Sequence, residues 1–279
     1  MNRIVAVPNW SFFDPIRCDQ ARSLVIGLGL TPHYFRGDID HQRTVTAFSG
    51  QQNEVFESLA SLAKVLLPLI DLRLSRGVHP RVGALDVAPF VLIEGSESVL
   101  IEATVKWAAE FSESFDIPVH LYEKAAREGQ EYRLPYLRGQ VGELEQLPDF
   151  GSLKNPRWGK TIVGVRDFLL AANLNLASDD LIGVRQVAKE MRLMRERGRA
   201  ELNGVRALGF ELNSRGMTQL SLNFTDPDST TFDVVYEIAS QLLAEVPIYV
   251  AETELIGVIR ERDLAGATQL TIDPSQVVR

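Results

Sequence analysis

The second half of the sequence restricts the fold most narrowly, because strand-like and helix-like segments alternate there in a fixed order. Residues 161–176 are strand-like, and residues 178–198 carry apolar side chains at helical spacing. A hairpin turn is predicted at 213–216, a second helix at 230–246 and further strands at 247–259. The order β-α-β-β-α-β is that of the ferredoxin-like split βαβ unit.

The first half repeats this order more loosely. Its predicted elements are a strand at 3–8, a helix from Pro15, strands at 31–36 and 43–50, a helix at 52–74, a strand at 85–93, a helix ending near 116 and a strand at 117–122. Residues 123–160 show no sustained period, and so long a loop is usually functional or disordered. We expect an α/β (α+β) protein of two ferredoxin-like subdomains, 1–166 and 167–279, packed side by side with a ligand cleft between them.

Composition excludes several classes of function. The formal net charge of −8 argues against nucleic-acid binding, which normally requires a basic surface. No apolar run approaches the roughly 20 residues of a membrane-spanning helix, and the N-terminus becomes strand-like too early for a signal peptide. The single cysteine, Cys18, cannot form an internal disulfide, which fits a reducing compartment. We expect a cytoplasmic protein without nucleic-acid or membrane partners.

The stretch GVHPRVGALDVAPF, residues 77–90, places an imidazole, a guanidinium and a carboxylate before a predicted buried strand. His79 is a candidate general acid or base, because histidine titrates nearest to neutral pH. Asp86 or a backbone carbonyl would then hold the tautomer of the ring, and Arg81 would help to place a substrate carboxylate. The alternative is a half-buried structural histidine bonded to a backbone carbonyl.

The other histidines, His33, His41 and His120, lack the spacing of a metal site, so no metal is expected. Four arginines fall at predicted strand ends or in loops, where a guanidinium could bind a carboxylate through two parallel hydrogen bonds. They are Arg43, Arg81, Arg138 and Arg166. For each of them, a solvated surface position is the alternative.

Residues 151–166 form a basic stretch without an acidic residue, in a chain of net negative charge. Lys154 and Arg157 carry positive charge there, and Trp158 offers an aromatic face. Together they suit an anionic ligand with a flat ring system. Alternatively, the tryptophan fills the interface between the two domains.

These motifs and their order resemble the formiminotransferase domain of glutamate formiminotransferases, which also forms the N-terminal half of formiminotransferase-cyclodeaminases. The resemblance rests on VPN at 7–9, RTVTAFSG at 43–50, GVHPRVGALDVAPF at 77–90, PDFG at 148–151, WGKTIVGVRDFLLAANLNL at 158–176 and QLSLNFTD at 219–226. It implies two subdomains with a folate-holding tunnel between them.

The resemblance also implies a reaction and its site. A formimino (or formyl) group would move between N-formimino-L-glutamate and tetrahydrofolate, the co-substrate, in a cytoplasmic homodimer of histidine degradation. His79 would act as general base. The implied substrate-binding residues are Asn9, Arg43, Arg81 and Asp86. The implied folate-binding residues are Gly151, Ser152, Leu153, Lys154, Asn155, Arg157, Trp158 and Gly159.

Two segments depart from the family pattern. The family follows Pro-Asn with Phe-Ser-Glu-Gly-Arg, whereas residues 8–15 are PNWSFFDP. Where the family's second strand ends in an Asp-x-Asp pair, residues 34–36 are Tyr-Phe-Arg, and Asp38 and Asp40 come later. These departures favour a second hypothesis, a non-catalytic folate- or anion-binding paralogue that has lost the donor chemistry. Retention of the 77–90 motif favours the enzyme.

Overall fold

The computed structural model describes residues 1–130, 133–139, 147–152 and 155–279, which form two compact units, Met1–Arg166 and Asp167–Arg279. The described strands are β1 (Arg3–Ala6), β2 (Asn9–Trp10), β3 (Thr31–Asp38), β4 (Arg43–Gln51), β5 (Leu85–Glu94), β6 (Val119–Glu123), β7 (Thr161–Val165), β8 (Leu170–Leu176), β9 (Val205–Leu212), β10 (Met217–Phe224), β11 (Val250–Ile256), β12 (Ile259–Arg260) and β13 (Val277–Val278). The described α-helices are α1 (Pro15–Gly27), α2 (Gln52–Leu66), α3 (Glu97–Phe115), α4 (Leu134–Leu137), α5 (Leu181–Glu196) and α6 (Phe232–Glu245).

The first unit is built on one mixed sheet. Its strands β1 and β2 pair antiparallel with both β4 and β5, and β3 pairs antiparallel with β4. This arrangement is ferredoxin-like, with the extra strands β7 and β6 added beside β5 through parallel pairings. Because β5 has neighbours on both edges and helices above it, most of its residues are buried, as its continuous apolar sequence predicts.

The second unit is a four-stranded antiparallel sheet in the order β11–β8–β10–β9, with α5 and α6 packed against it. Leu174 and Leu222 from the sheet share its core with Val184 and Val235 from the two helices. The strand order in both units confirms the predicted α/β class and the ferredoxin-like subdomains. The cleft between the subdomains stays a prediction.

Helix starts follow from local capping chemistry. Pro15 is the first residue of α1, and the Asp14 side chain accepts hydrogen bonds from the amides of Ile16 and Arg17. α5 begins in the same way, because the Asp180 carboxylate accepts from the amide of Gly183. Among the described helices, none reaches the combined length and apolarity that a bilayer crossing demands.

Two predicted elements are wrong in extent. The predicted helix 52–74 ends at Leu66 and continues as two short 3-10 helices, because Pro68 lacks the amide hydrogen that a longer α-helix requires. The predicted strand 161–176 is two strands, β7 and β8, which belong to different sheets in different units. The charged pair Arg166 and Asp167 interrupts the apolar sequence between the two strands and marks the break.

Candidate active site

A carboxylate at the start of β5 lies at the centre of the predicted site. Asp86 is fully buried, and its Oδ1 accepts hydrogen bonds from the amides of Val82 at 2.7 Å and Gly83 at 3.3 Å. Its Oδ2 accepts from Arg43 Nη2 at 2.6 Å and from Arg138 Nη2 at 2.7 Å. Burial acts to raise the pKa of Asp86, but the two guanidinium groups and the Val82 amide lower it below its usual value. Asp86 is therefore a buried anion.

Arg43, the first residue of β4, joins Asp86 to two other predicted site residues. Its Nε donates to Asn9 Oδ1 at 3.1 Å, and Asn9 is held by the carbonyl of Val7. Its Nη1 contacts both ring nitrogens of His79 and lies 3.0 Å from Nε2. Burial lowers the pKa of Arg43 to about 10 against the opposing attraction of Asp86, so the guanidinium stays charged near neutral pH.

His79 is half-buried, and its ring contacts a backbone carbonyl. Its Nδ1 lies 2.8 Å from the carbonyl oxygen of Pro80, which can only accept; a hydrogen on Nδ1 satisfies that carbonyl and leaves Nε2 as the acceptor. Of the two predicted partners of the ring, the structure supplies the carbonyl, while Asp86 binds the arginines. Burial and then the charges of Arg43 and Arg138 hold the pKa of His79 well below its usual range. The ring is therefore neutral near pH 7.

Arg81 binds backbone carbonyls. Its Nη2 donates to His41 O at 2.7 Å and its Nη1 to Gln42 O at 3.1 Å, while its Nε lies 3.3 Å from His79 O. The guanidinium thereby ties the turn between β3 and β4 to the segment that carries His79. The predicted role of Arg81 in placing a substrate carboxylate stays a prediction.

Arg138, which follows the short helix α4, gives the cluster an excess of positive charge. Its side chain is 13% exposed, and its Nε is buried without a hydrogen-bond partner among the described residues. Three guanidinium groups, those of Arg43, Arg81 and Arg138, therefore surround one buried carboxylate, that of Asp86. Such a site favours the binding of an additional anion.

The predicted folate stretch adjoins the same segment. Gly83 and Gly159 form an isolated antiparallel bridge, and the amide of Ala84 donates to the carbonyl of Trp158 at 2.8 Å. A Cβ atom on Gly159 would lie 2.1 Å from the carbonyl oxygen of Val82, and the φ of Gly159 is +66°. Only glycine permits this approach at this φ. The stretch consequently lies next to the amides that hold Asp86.

Side chains of the stretch are anchored on the first unit. Trp158 Nε1 donates to Leu67 O at 2.8 Å and its ring packs against the core of that unit, while Arg157 Nη2 donates to Pro68 O at 2.5 Å. The indole and the guanidinium therefore hold the 3-10 segment after α2. The predicted folate residues outside the described ranges are Leu153 and Lys154.

The Asn155 side chain forms hydrogen bonds that fix the earlier part of the predicted folate stretch. Asn155 Oδ1 accepts from the amide of Trp158 at 2.9 Å, and its Nδ2 donates to Asp116 O at 2.9 Å. Gly151 has a φ of +80°, and Ser152 is exposed. Asn155 therefore stabilises the turn that presents Trp158.

Two of the other histidines lie away from the cluster. His33 Nε2 is 2.8 Å from Ser49 Oγ on the neighbouring strand. His120 is buried in β6, where burial and then the charge of Lys160 lower its pKa to about 4. Within the described ranges, no group of three or more His, Cys, Asp and Glu side chains has an arrangement that could hold a metal ion.

Comparison with known proteins decides the family. A family model described as the N-terminal subdomain of the formiminotransferase domain matches residues 28–166, and one described as the formiminotransferase domain matches residues 171–278. The glutamate formimidoyltransferase of Streptococcus pyogenes serotype M1 is 30% identical over 251 residues, which cover 86% of this chain and 83% of the relative. The glutamate formimidoyltransferase of Thermoplasma acidophilum is 30% identical over 241 residues, which cover 81% and 77%. The chain belongs to the formiminotransferase family.

Some relatives in this formiminotransferase family are longer proteins. The formimidoyltransferase-cyclodeaminase of Sus scrofa is 35% identical over 246 residues, which cover 81% of this chain and 44% of the relative. The chain spans about half the length of the formimidoyltransferase-cyclodeaminases that it matches.

The predicted site of this formiminotransferase-family chain omits two residues that the structure brings to His79. Arg138 is one of the four candidate arginines, but its contact with Asp86 joins positions 52 residues apart and leaves no local signal. His41 has no metal-ligand spacing, yet its ring centroid lies 6.0 Å from that of His79. Its closeness to Asp38 in the sequence is the signal that could have identified it.

Proposed function

We propose that this protein is a folate-dependent one-carbon transferase that moves a formimino group from N-formimino-L-glutamate to tetrahydrofolate. The observation that carries the proposal is the buried cluster in which a neutral His79 adjoins an excess of guanidinium charge around Asp86. A neutral imidazole can accept a proton, and the arginines suit a substrate that carries carboxylates. Family membership supports the same reaction class.

His79 is the proposed general base. The lone pair of N5 of tetrahydrofolate forms a bond to the formimino carbon, while the C=N electron pair moves onto the imino nitrogen. His79 Nε2 removes the proton that N5 must lose in the tetrahedral intermediate. Collapse then breaks the bond from that carbon to the glutamate nitrogen, which takes up a proton and leaves as the amine.

Arg43 is the residue that controls access to this base. In the structure its Nη1 lies 3.0 Å from His79 Nε2, the nitrogen that would accept the proton. A bound donor carboxylate would attract the guanidinium and expose Nε2 to the attacking amine. The same carboxylate would offset the positive charge that depresses the pKa of His79, so the ring becomes a stronger base when the donor is bound.

The stretch from Gly151 to Gly159 is proposed to hold the folate. The positive charge of the stretch supports this assignment, as does its position beside the segment that carries His79. Most of the remaining rate acceleration would come from orienting two bulky anions. The cytoplasmic location and the homodimer stay predictions.

The second candidate is a non-catalytic folate- or anion-binding protein. The contact between Arg43 and His79 Nε2 favours it, because a base whose lone pair faces a guanidinium is not poised to react. Incubation of the full chain with tetrahydrofolate and either N-formimino-L-glutamate or N-formyl-L-glutamate separates the two. Formation of 5-formimino- or 5-formyltetrahydrofolate supports the enzyme, whereas saturable tetrahydrofolate binding without transfer from either donor supports the binding protein.

A further inference from the structure

A second imidazole lies beside His79. His41 is buried and lies in the turn between β3 and β4. The centroid of its ring is 6.0 Å from that of the His79 ring, and the angle between the two ring planes is 55°. The proposed reaction as described above assigns no role to this ring. It nevertheless requires two proton transfers, one from the attacking nitrogen and one to the leaving nitrogen.

Asp38, the last residue of β3, holds the His41 ring in place. His41 Nδ1 lies 2.8 Å from Asp38 Oδ1, and the His41 amide donates to the same oxygen at 2.7 Å. Burial opposes ionisation of Asp38, but the two hydrogen bonds from His41 lower the pKa of the carboxyl below its usual value. An ionised carboxylate accepts the Nδ1 hydrogen, which leaves Nε2 as the nitrogen that exchanges protons.

The backbone at the turn is fixed against the segment that carries His79. Gln42, which follows His41, has a φ of +47°, a left-handed conformation that costs a non-glycine residue energy. Its Oε1 accepts from the amides of Arg76 at 2.5 Å and Gly77 at 3.1 Å. A Cβ atom on Gly77 would lie 2.3 Å from the carbonyl oxygen of His41. These contacts maintain the separation of the two imidazoles.

We propose that His41, oriented by Asp38, delivers the proton to the glutamate nitrogen as the formimino group leaves it. This role rests on the transferase function proposed above. The C–N electron pair goes to the departing nitrogen. His41 enters the step with both ring nitrogens protonated, gives its Nε2 proton to that nitrogen and becomes neutral, while His79 keeps the proton taken from N5. Solvent restores both rings after product release. Two imidazoles in different surroundings, one beside arginines and one beside a carboxylate, suit opposite roles in one proton-transfer reaction.

Charged groups on several elements surround His41. Asp38 and Asp40 are on its own turn, and His79 and Arg81 are on the facing segment, as is Arg76. Arg43 is the first residue of β4 and lies next to the turn.

The proposed reaction requires both an acid and a base. The value of kcat therefore falls at low pH, when the base is protonated, and at high pH, when the acid has lost its proton.

The test replaces His41 in the full chain and follows transfer from N-formimino-L-glutamate to tetrahydrofolate between about pH 5.5 and about pH 9. We expect His41→Gln to lower kcat by about 10²- to 10⁴-fold and to remove the alkaline fall in kcat, with the KM for tetrahydrofolate unchanged. A formimino donor with a less basic leaving amine should lose much less activity in the variant, because such an amine departs without a proton. His33→Gln, which removes a buried histidine elsewhere in the same sheet, is the matched control.

Asp38→Asn provides the test should His41→Gln not fold, because it keeps the imidazole and removes the charge that orients it. We expect a lower kcat and an alkaline limb displaced to lower pH. Either variant overturns the role of His41 if kcat stays within about threefold of wild type and the alkaline limb is intact. A wild-type protein that binds tetrahydrofolate but transfers no group rejects the proposed function itself, which is a distinguishable result.

Discussion

Arg43 and Asp86 form a buried ion pair in which Nη2 and Oδ2 are 2.6 Å apart and the side chains are 12% and 1% exposed. The same oxygen also accepts a hydrogen bond from Arg138, so one carboxylate forms ion pairs with two guanidinium groups. A buried carboxylate is tolerated when its oxygens are fully hydrogen-bonded, and both oxygens of Asp86 are. The pair therefore holds the site together and leaves it electropositive.

Asp86→Asn should strongly destabilise the first unit. The substitution leaves two buried guanidinium groups without a counter-charge, which costs about 3–5 kcal/mol. Urea denaturation measures the change in the free energy of unfolding. Asp71→Asn, at an exposed ion pair with Arg73, is the control and should leave the midpoint nearly unchanged. Equal midpoints for the two variants would contradict the account of Asp86.

Lys154→Ala should weaken tetrahydrofolate binding, and the loss should shrink at high salt because salt screens the attraction between opposite charges. Arg157→Ala should add a loss of stability, because its guanidinium also holds the carbonyls of Pro68 and Ile70. Isothermal titration at low and high salt measures the first effect and thermal unfolding the second. Unchanged tetrahydrofolate affinity in a variant that combines Lys154→Ala and Arg157→Ala would remove this stretch from the folate site.

Gly159→Ala should destabilise the protein more than Gly129→Ala does. Both residues have positive φ, +66° and +80°, so both variants carry the cost of a left-handed alanine. Only at Gly159 would the Cβ meet a backbone atom, whereas nothing lies within 4 Å at Gly129. This crowding should lower the free energy of unfolding of Gly159→Ala by about a further 1–3 kcal/mol, which urea denaturation measures. A Gly159→Ala variant as stable as Gly129→Ala would show that the backbone around residue 159 moves enough to accommodate the Cβ atom without a measurable cost.

The buried His120 should make the protein less stable in mild acid. Its pKa is about 4 in the folded state against 6.5 for an ordinary histidine, so the unfolded chain binds more protons between these values. The contribution of the neutral His120 to the free energy of unfolding is fully present above about pH 6.5. It falls by on the order of 3 kcal/mol as the pH drops towards 4. His120→Gln should flatten this part of the stability profile. An unchanged slope would assign the acid sensitivity to other groups.

Much of the fold could be predicted because each element carries its own periodicity. The alternation in the second half predicts the order of β8 to β11 and their helices, and the Asp14-Pro15 pair predicts the start of α1. The ends of elements were harder to place. The apolar pattern continues past Leu66, although the helical hydrogen bonding ends there, and strand-like sequence resumes directly after Arg166 and Asp167, which lie between β7 and β8.

The site could be predicted from one local motif and, for Asn9 and Arg43, from the family resemblance. His79, Arg81 and Asp86 stand together in residues 77–90, whereas the contact of Arg138 with Asp86 depends on tertiary folding. His41 lies beside His79 in a turn where Gln42 has a left-handed conformation and Arg81 binds the backbone carbonyls. Neither condition is visible as a spacing in the sequence.

The central claim is that His79 is the proton acceptor, and His79→Asn tests it most directly. Single-turnover transfer from N-formimino-L-glutamate should fall by about 10²- to 10⁴-fold, while the Kd for tetrahydrofolate and the Tm stay near wild type. His33→Asn, at a buried histidine away from the cluster, should retain the transfer rate. Transfer of the formimino group at the wild-type rate by the folded fraction of His79→Asn would contradict this role and make His79 a structural histidine.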